Sequence, residues 1–127
     1  MAKRKKALIA EQDAGVGALL KAHLERLGWK ALLAADGEQA LRMFKDARPD
    51  LVLLEVRLPE LDGFAVCRRI RTLRDVPVLF LTERDAAHDA RGARIHGGSG
   101  FVTKPVRLAE LRLRLDEIRN SPEKPIC

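Results

Sequence analysis

Apolar residues follow two rhythms along this chain. Short runs with little alternation fall at Ala7–Ala10, Lys30–Ala34, Leu51–Glu55, Val78–Leu81 and Gly100–Thr103. A strand that is apolar on both sides is one whose two faces are both covered. Between the runs the spacing changes to that of a helix. Val16, Leu19, Leu20, Leu24 and Leu27 form one stripe. Ala40, Leu41, Phe44 and Ala47 form a second, and Val66, Ile70 and Leu73 a third. Leu108, Leu111, Leu115 and Ile118 form the last, opening just after Pro105. A fourth helix, about Ala86 to His96, is the poorest: its apolar residues are mostly alanines and it contains Gly92. A glycine inside a helix costs about 1 kcal/mol relative to alanine.

Five strands alternating with five helices predict a parallel sheet covered on both faces. The fold class is α/β, a doubly wound, flavodoxin-like (βα)5 sheet with strand order 2-1-3-4-5. Residues 1–120 make one domain, and 121–127, "SPEKPIC", read as a polar tail or the start of a linker. With 127 residues the chain is long enough for one core. No apolar run approaches a membrane span, and the apolar stretch after the basic N-terminus is too short for a signal peptide. Cys67 and Cys127 are the only cysteines and suggest no disulfide framework. Together these features place the protein in the cytoplasm.

The net charge of +6 raises the question of nucleic acid. There is no recognised DNA- or RNA-binding pattern, and aromatics for stacking are few, so nucleic acid is not the favoured partner. "AGVGALL" carries Gly15 and Gly17, but Leu20 stands where a dinucleotide fingerprint has its third glycine. His23, His88 and His96 show no metal-ligand spacing; His23 borders the first helical stripe and reads as a packed flank residue.

Ligands of such sheets sit beyond the carboxyl ends of the strands. Those ends carry Glu11, Gln12 and Asp13 after the first strand, Glu55 and then Arg57 at the third, and Thr82 at the fourth. The fifth runs through Phe101 into Thr103, Lys104 and Pro105. Clustered oxygens suit a divalent cation, and a lysine with a threonine suits a phosphoryl group. Asp13, directly before the first helix, is placed to cap it.

On "ALIAEQD", "PDLVLLEVRLPELDGFAVCRRIR", "VPVLFLTERD" and "GFVTKPV", the chain resembles the receiver domain of two-component response regulators over about Lys6 to Arg119. The resemblance implies an acidic pair holding Mg²⁺ at Glu11 and Gln12, and a phosphoacceptor position at Glu55. It implies phosphate contacts from Thr82 and Lys104, and an aromatic at Phe101 that changes rotamer with the threonine. It also implies a cis peptide bond at Lys104–Pro105. Partners would meet the face made by the fourth helix, fifth strand and fifth helix, with Arg91, Arg94, Val102 and Leu113 as contacts. Leu113, opposite the stripe of its helix and flanked by Arg112 and Arg114, should face solvent.

The pattern breaks at two places. The acceptor position holds glutamate, one methylene longer than aspartate, and the second acidic position holds Gln12. Phosphoryl transfer depends on positioning, where an error of about 1 Å costs on the order of a hundredfold. Gln12 removes a charge from the metal site, which includes Glu55 itself. The expected protein is therefore a receiver-like signalling domain with a degenerate phosphorylation site, a pseudo-receiver and not an enzyme. It acts by phosphorylation-independent contact with another protein or with a second copy of itself. No cofactor is required, and Mg²⁺ binding is weak at best. Glu55 has three readings: it reaches Lys104 and Thr82 and imitates a phosphorylated aspartate, it forms a structural ion pair with Arg57 or Lys104, or it still accepts phosphate slowly. The rival functions are a working phospho-accepting receiver using Glu55 with Mg²⁺, and a basic nucleic-acid-associated protein.

Overall fold

The computed structural model describes residues 4–83 and 100–120. The five strands are β1 (Lys6–Ala10), β2 (Lys30–Ala34), β3 (Leu51–Glu55), β4 (Val78–Thr82) and β5 (Gly100–Thr103). They form one parallel sheet in the order β2-β1-β3-β4-β5, the arrangement the sequence predicts. Three helices, α1 (Ala14–Arg26), α2 (Gly37–Ala47) and α3 (Gly63–Leu73), follow the first three strands. A C-terminal helix, Leu108–Asn120, follows β5. The predicted fourth helix, with Arg91 and Arg94, and the tail 121–127 lie outside the described residues.

Successive strand residues point to opposite faces, so each strand feeds two cores. Leu8, Ala10, Val52, Leu54, Val78 and Phe80 pack with α2 and α3 on one side. Ala7, Ile9, Leu51, Leu53, Leu79 and Leu81 pack with α1 and the C-terminal helix on the other. Both faces are covered, which is why the strands lack alternation. Val102, expected on a partner surface, is instead fully buried in the second core. It points inward because β5 keeps the same alternation: Phe101 leans on the first core and Val102 completes the second.

Two further expectations fail. Leu19 and Leu73, read as stripe residues, are 46% and 48% exposed. In α1 the buried ridge is Gly17, Leu20 and Leu24, and Gly17 sits against Leu33 of β2. Leu19 lies a hundred-degree step away from that ridge. Leu73 shares the stripe of Val66 and Ile70 but is the last residue of its helix. Periodicity fixes the face a residue occupies, not whether sheet still lies beneath it.

The three helices that follow β1, β2 and β3 open the same way. Asp13, Asp36 and Asp62 each accept a backbone N–H, from Val16 at 3.0 Å, Gln39 at 2.8 Å and Ala65 at 2.9 Å. A carboxylate at this position satisfies an otherwise unpaired N–H and meets the positive end of the helix dipole. At the second cap Gln39 also reaches back, its Oε1 accepting the Ala35 N–H at 2.7 Å. All three caps stand at the carboxyl end of the sheet.

Candidate functional site

Glu11 directly follows β1, Glu55 ends β3, and Lys104 directly follows β5. The parallel register brings the three strand ends to one level. The Lys104 N–H donates to the Thr82 carbonyl at 2.8 Å, and the Val56 N–H donates to the Leu81 carbonyl at 3.1 Å. The tight return from β3 depends on Gly63, whose N–H donates to the Val56 carbonyl at 2.8 Å. A Cβ on Gly63 would collide with the Glu55 carbonyl oxygen, so only glycine lets the start of α3 come this close. The Lys104–Pro105 peptide bond is cis, as the resemblance implies.

The long arm of Lys104 crosses β4, and its ammonium forms ion pairs with both Glu11 and Glu55. Each carboxylate uses its second oxygen on the backbone N–H two residues ahead. Glu11 accepts from Asp13 at 3.1 Å and Glu55 from Arg57 at 3.1 Å. Both glutamates are almost fully buried, at 5% and 3% exposure. A buried carboxylate needs such partners, because an uncompensated charge inside a protein is strongly unfavourable. One ammonium serves two carboxylates, so the triad keeps one net negative charge. Burial pushes the Glu55 carboxyl above its ordinary value, and the hydrogen bonds from Lys104 and Arg57 offset this only in part. Burial alone would depress Lys104, but its hydrogen bonds to Glu11 and Glu55 outweigh that and hold it above its ordinary value.

The remaining candidates sort clearly. Thr82 is fully buried beside the triad, its Oγ1 donating to the Glu83 carbonyl at 3.2 Å. Phe101 is half-buried against the core under α2 and α3. Leu113 is 54% exposed, as its place opposite the stripe predicts. Arg57 supplies only its backbone N–H to Glu55 while its side chain is exposed, so the ion-pair partner of Glu55 is Lys104. Gln12 donates its side-chain N–H to the Arg57 carbonyl at 3.3 Å and ties the loops after β1 and β3 together. Sequence reading did not anticipate Lys104 pairing with Glu11. Nor did it anticipate Leu19 at the rim of the adjoining cavity of about 470 Å³, which Glu83 and Val106 also line. His23 is a packed flank residue with a task, its Nε2 lying 3.1 Å from the Val106 carbonyl just past the cis bond.

The donor set does not fit a resident Mg²⁺. Such an ion favours carboxylate oxygens in near-octahedral order. Here both carboxylates are engaged by an ammonium, and Gln12 turns its amide N–H toward a carbonyl. Among the described residues no group of three or more His, Cys, Asp or Glu could hold a metal.

The response regulator receiver domain model matches residues 7–116. The chain is 34% identical over 123 residues to a probable transcriptional regulator, ycf27, of Cyanophora paradoxa, covering 96% of this chain and 51% of that protein. It is 35% identical over 120 residues to the alkaline phosphatase synthesis transcriptional regulatory protein PhoP of Bacillus subtilis, covering 94% and 50%. The chain thus spans about half the length of these curated relatives. Among solved structures, a two-component response regulator from Clostridium difficile superposes with a TM-score of 0.85 at 29% identity, covering 93% of this chain and all of that one. The receiver domain of NtrX from Brucella abortus gives 0.84 at 25% identity, covering 91% and 99%. With the strand order, the triad at the strand ends and the family match in agreement, the chain belongs to the response regulator receiver domain family.

Proposed function

We propose that this receiver domain signals without being phosphorylated, through contact with another protein or a second copy of itself. The observation that carries this reading is the Lys104 ammonium held by Glu11 and Glu55 together. The longer glutamate arm brings a negative charge to the lysine that would otherwise bind phosphate. A cation already stands where Mg²⁺ would be needed, so no metal is required. The domain is a signalling part rather than an enzyme acting on a separate substrate. Its contact face includes the exposed Leu113 of the C-terminal helix. Among the described residues no helix is long and apolar enough to cross a membrane.

A second reading rests on Thr82 and Lys104, which keep the hydroxyl and the ammonium of a phosphate site. Relatives named as transcriptional regulators add to it, since a phospho-accepting domain would serve such a protein equally well. In this reading a Glu55 carboxylate oxygen attacks the phosphorus of a phosphodonor, whose own P–O bond breaks to release it as the leaving group, and Thr82 and Lys104 would contact the transferred phosphoryl oxygens.

Intact mass after incubation with Mg²⁺ and acetyl phosphate separates the two. The variant Glu55→Asp/Gln12→Asp, which rebuilds the acidic set, serves as the reactive control. The expected outcome is a gain of one phosphoryl group in the variant alone. Modification of the natural chain on Glu55 overturns the phosphorylation-independent reading.

A further inference from the structure

At the opposite end of the sheet, where the strands begin, α1 and the C-terminal helix part to leave a cavity of about 640 Å³. Ligand pockets run from about 300 to about 1,000 Å³. Its floor includes Trp29, Leu115 and Ile118, which lean on the second core. Its rim carries Lys5, Arg26, Arg112 and Arg119. Among the described residues none of these four cations has an ion-pair partner, although Lys5 stands 6.0 Å from the centre of the Trp29 ring. Two carboxylates also line the cavity, Asp50 and Asp116, and Asp50 is already engaged by the Lys6 backbone N–H at 3.0 Å. The balance is therefore cationic, over a floor that offers an indole ring and aliphatic side chains.

We propose that this cleft binds a small aromatic anion of nucleotide size, with its ring on the Trp29 floor and its phosphate among the rim arginines. Guanidinium groups suit phosphate because they present paired donors in one plane. Aromatic rings stack on indole with little demand for a particular base. Nothing in the signalling site is needed for this, since Glu55 and Lys104 stand at the far end of the strands. A free nucleotide and the end of a single strand share this chemistry.

Trp29 is the only tryptophan and the chain has no tyrosine, so its fluorescence reports on the cleft directly. The test titrates the full chain with adenosine monophosphate while following that signal, with calorimetry alongside. Adenosine and inorganic phosphate are run as half-ligands. The nucleotide should change the emission saturably, and each half-ligand should bind at least tenfold more weakly, roughly the effect of losing one charged hydrogen bond. Arg26→Ala/Arg119→Ala should weaken binding by about tenfold or more on the same grounds. Arg69→Ala should leave it unchanged, because Arg69 pairs with Glu38 on the other side of the sheet. A short single-stranded adenosine oligomer separates the sources. Tighter, steeply salt-dependent binding of the oligomer assigns a strand, and equal affinity assigns the free nucleotide. The proposal is overturned by absence of saturable binding, by phosphate binding as tightly as the nucleotide, or by calorimetric heat with no change at Trp29. Equal loss in Arg69→Ala also overturns it.

Discussion

The two ends of this sheet handle charge in opposite ways. At the carboxyl end Glu11 and Glu55 are buried, and one ammonium closes them off from solvent. At the amino end Lys5, Arg26, Arg112 and Arg119 surround an open cleft without ion-pair partners among the described residues. The acidic end pairs its carboxylates with an internal cation, though one negative charge is left over, and the cations of the basic end have no such partner among the described residues. Charge that is buried must be matched by the fold itself. Charge that is exposed is left for solvent or a ligand. The end that carries the phosphoacceptor position is here the one whose charges are paired within the fold.

The largest expected effect comes from removing the shared cation. Lys104→Met leaves two buried carboxylates with no counter-ion and should cost about 3–5 kcal/mol, as breaking a buried pair does. Urea melts at neutral pH measure it. Because Lys104 titrates above its ordinary 10.5 when folded, its contribution is complete below that value and is lost as the pH rises beyond it. The variant should lack this alkaline loss.

Gly63→Ala should come next, at about 1–3 kcal/mol, the usual cost of forcing atoms into a packed site. The collision is with the Glu55 carbonyl, so the substitution should also displace the triad. A structure of the variant, or the chemical shift of the Lys104 ammonium, checks that displacement.

Glu55→Gln sharpens the comparison from the other direction. The folded carboxyl lies above its ordinary 4.5, so the folded state binds this proton more tightly than the unfolded one. The contribution of Glu55 to stability is thus fully present below 4.5 and is lost as the pH rises through the folded value. The glutamine variant, fixed in the neutral form, should lose that slope. At neutral pH it should stay within about 1 kcal/mol of the parent, unlike Lys104→Met, since Glu11 keeps the ammonium. Melts repeated from mildly acidic to neutral pH test both points.

The smallest effect on stability is at Leu113→Lys, within about 0.5 kcal/mol, as for exposed sites in general. Its effect on self-association or partner binding should be the larger one, and analytical ultracentrifugation reads the first of these directly.

Much of the fold was legible in the sequence because doubly buried strands and one-sided helices leave different spacings. The strand bounds at Lys30–Ala34, Leu51–Glu55 and Gly100–Thr103 are those the apolar runs give. The members of the site were legible too, since each stands next to a strand end. The pairing of Lys104 with Glu55 was among the readings, but its second pairing, with Glu11, was not legible. Which acid Lys104 reaches depends on the order of strands across the sheet and on the length of its arm, and neither is a local property of the chain. Arg57, two residues from Glu55 in sequence, was one of two possible partners, the other being Lys104. The turn out of β3 sends its side chain to solvent and leaves only the backbone N–H in place. Val102 was misplaced for a different reason: the resemblance put β5 on a partner surface, although in a sheet covered on both faces its alternating residues point into one core or the other.

Lys104 also has a mechanical consequence. Among the described residues β5 is an edge strand of four residues that pairs only with β4. Such strands ordinarily fray first. Here the residue directly after β5 is laced across the sheet to the ends of β1 and β3, so peeling the edge away requires parting ion pairs at the sheet's centre. The weakest margin of the sheet is thereby made to open with its middle, and Lys104 serves as a rivet across the carboxyl end.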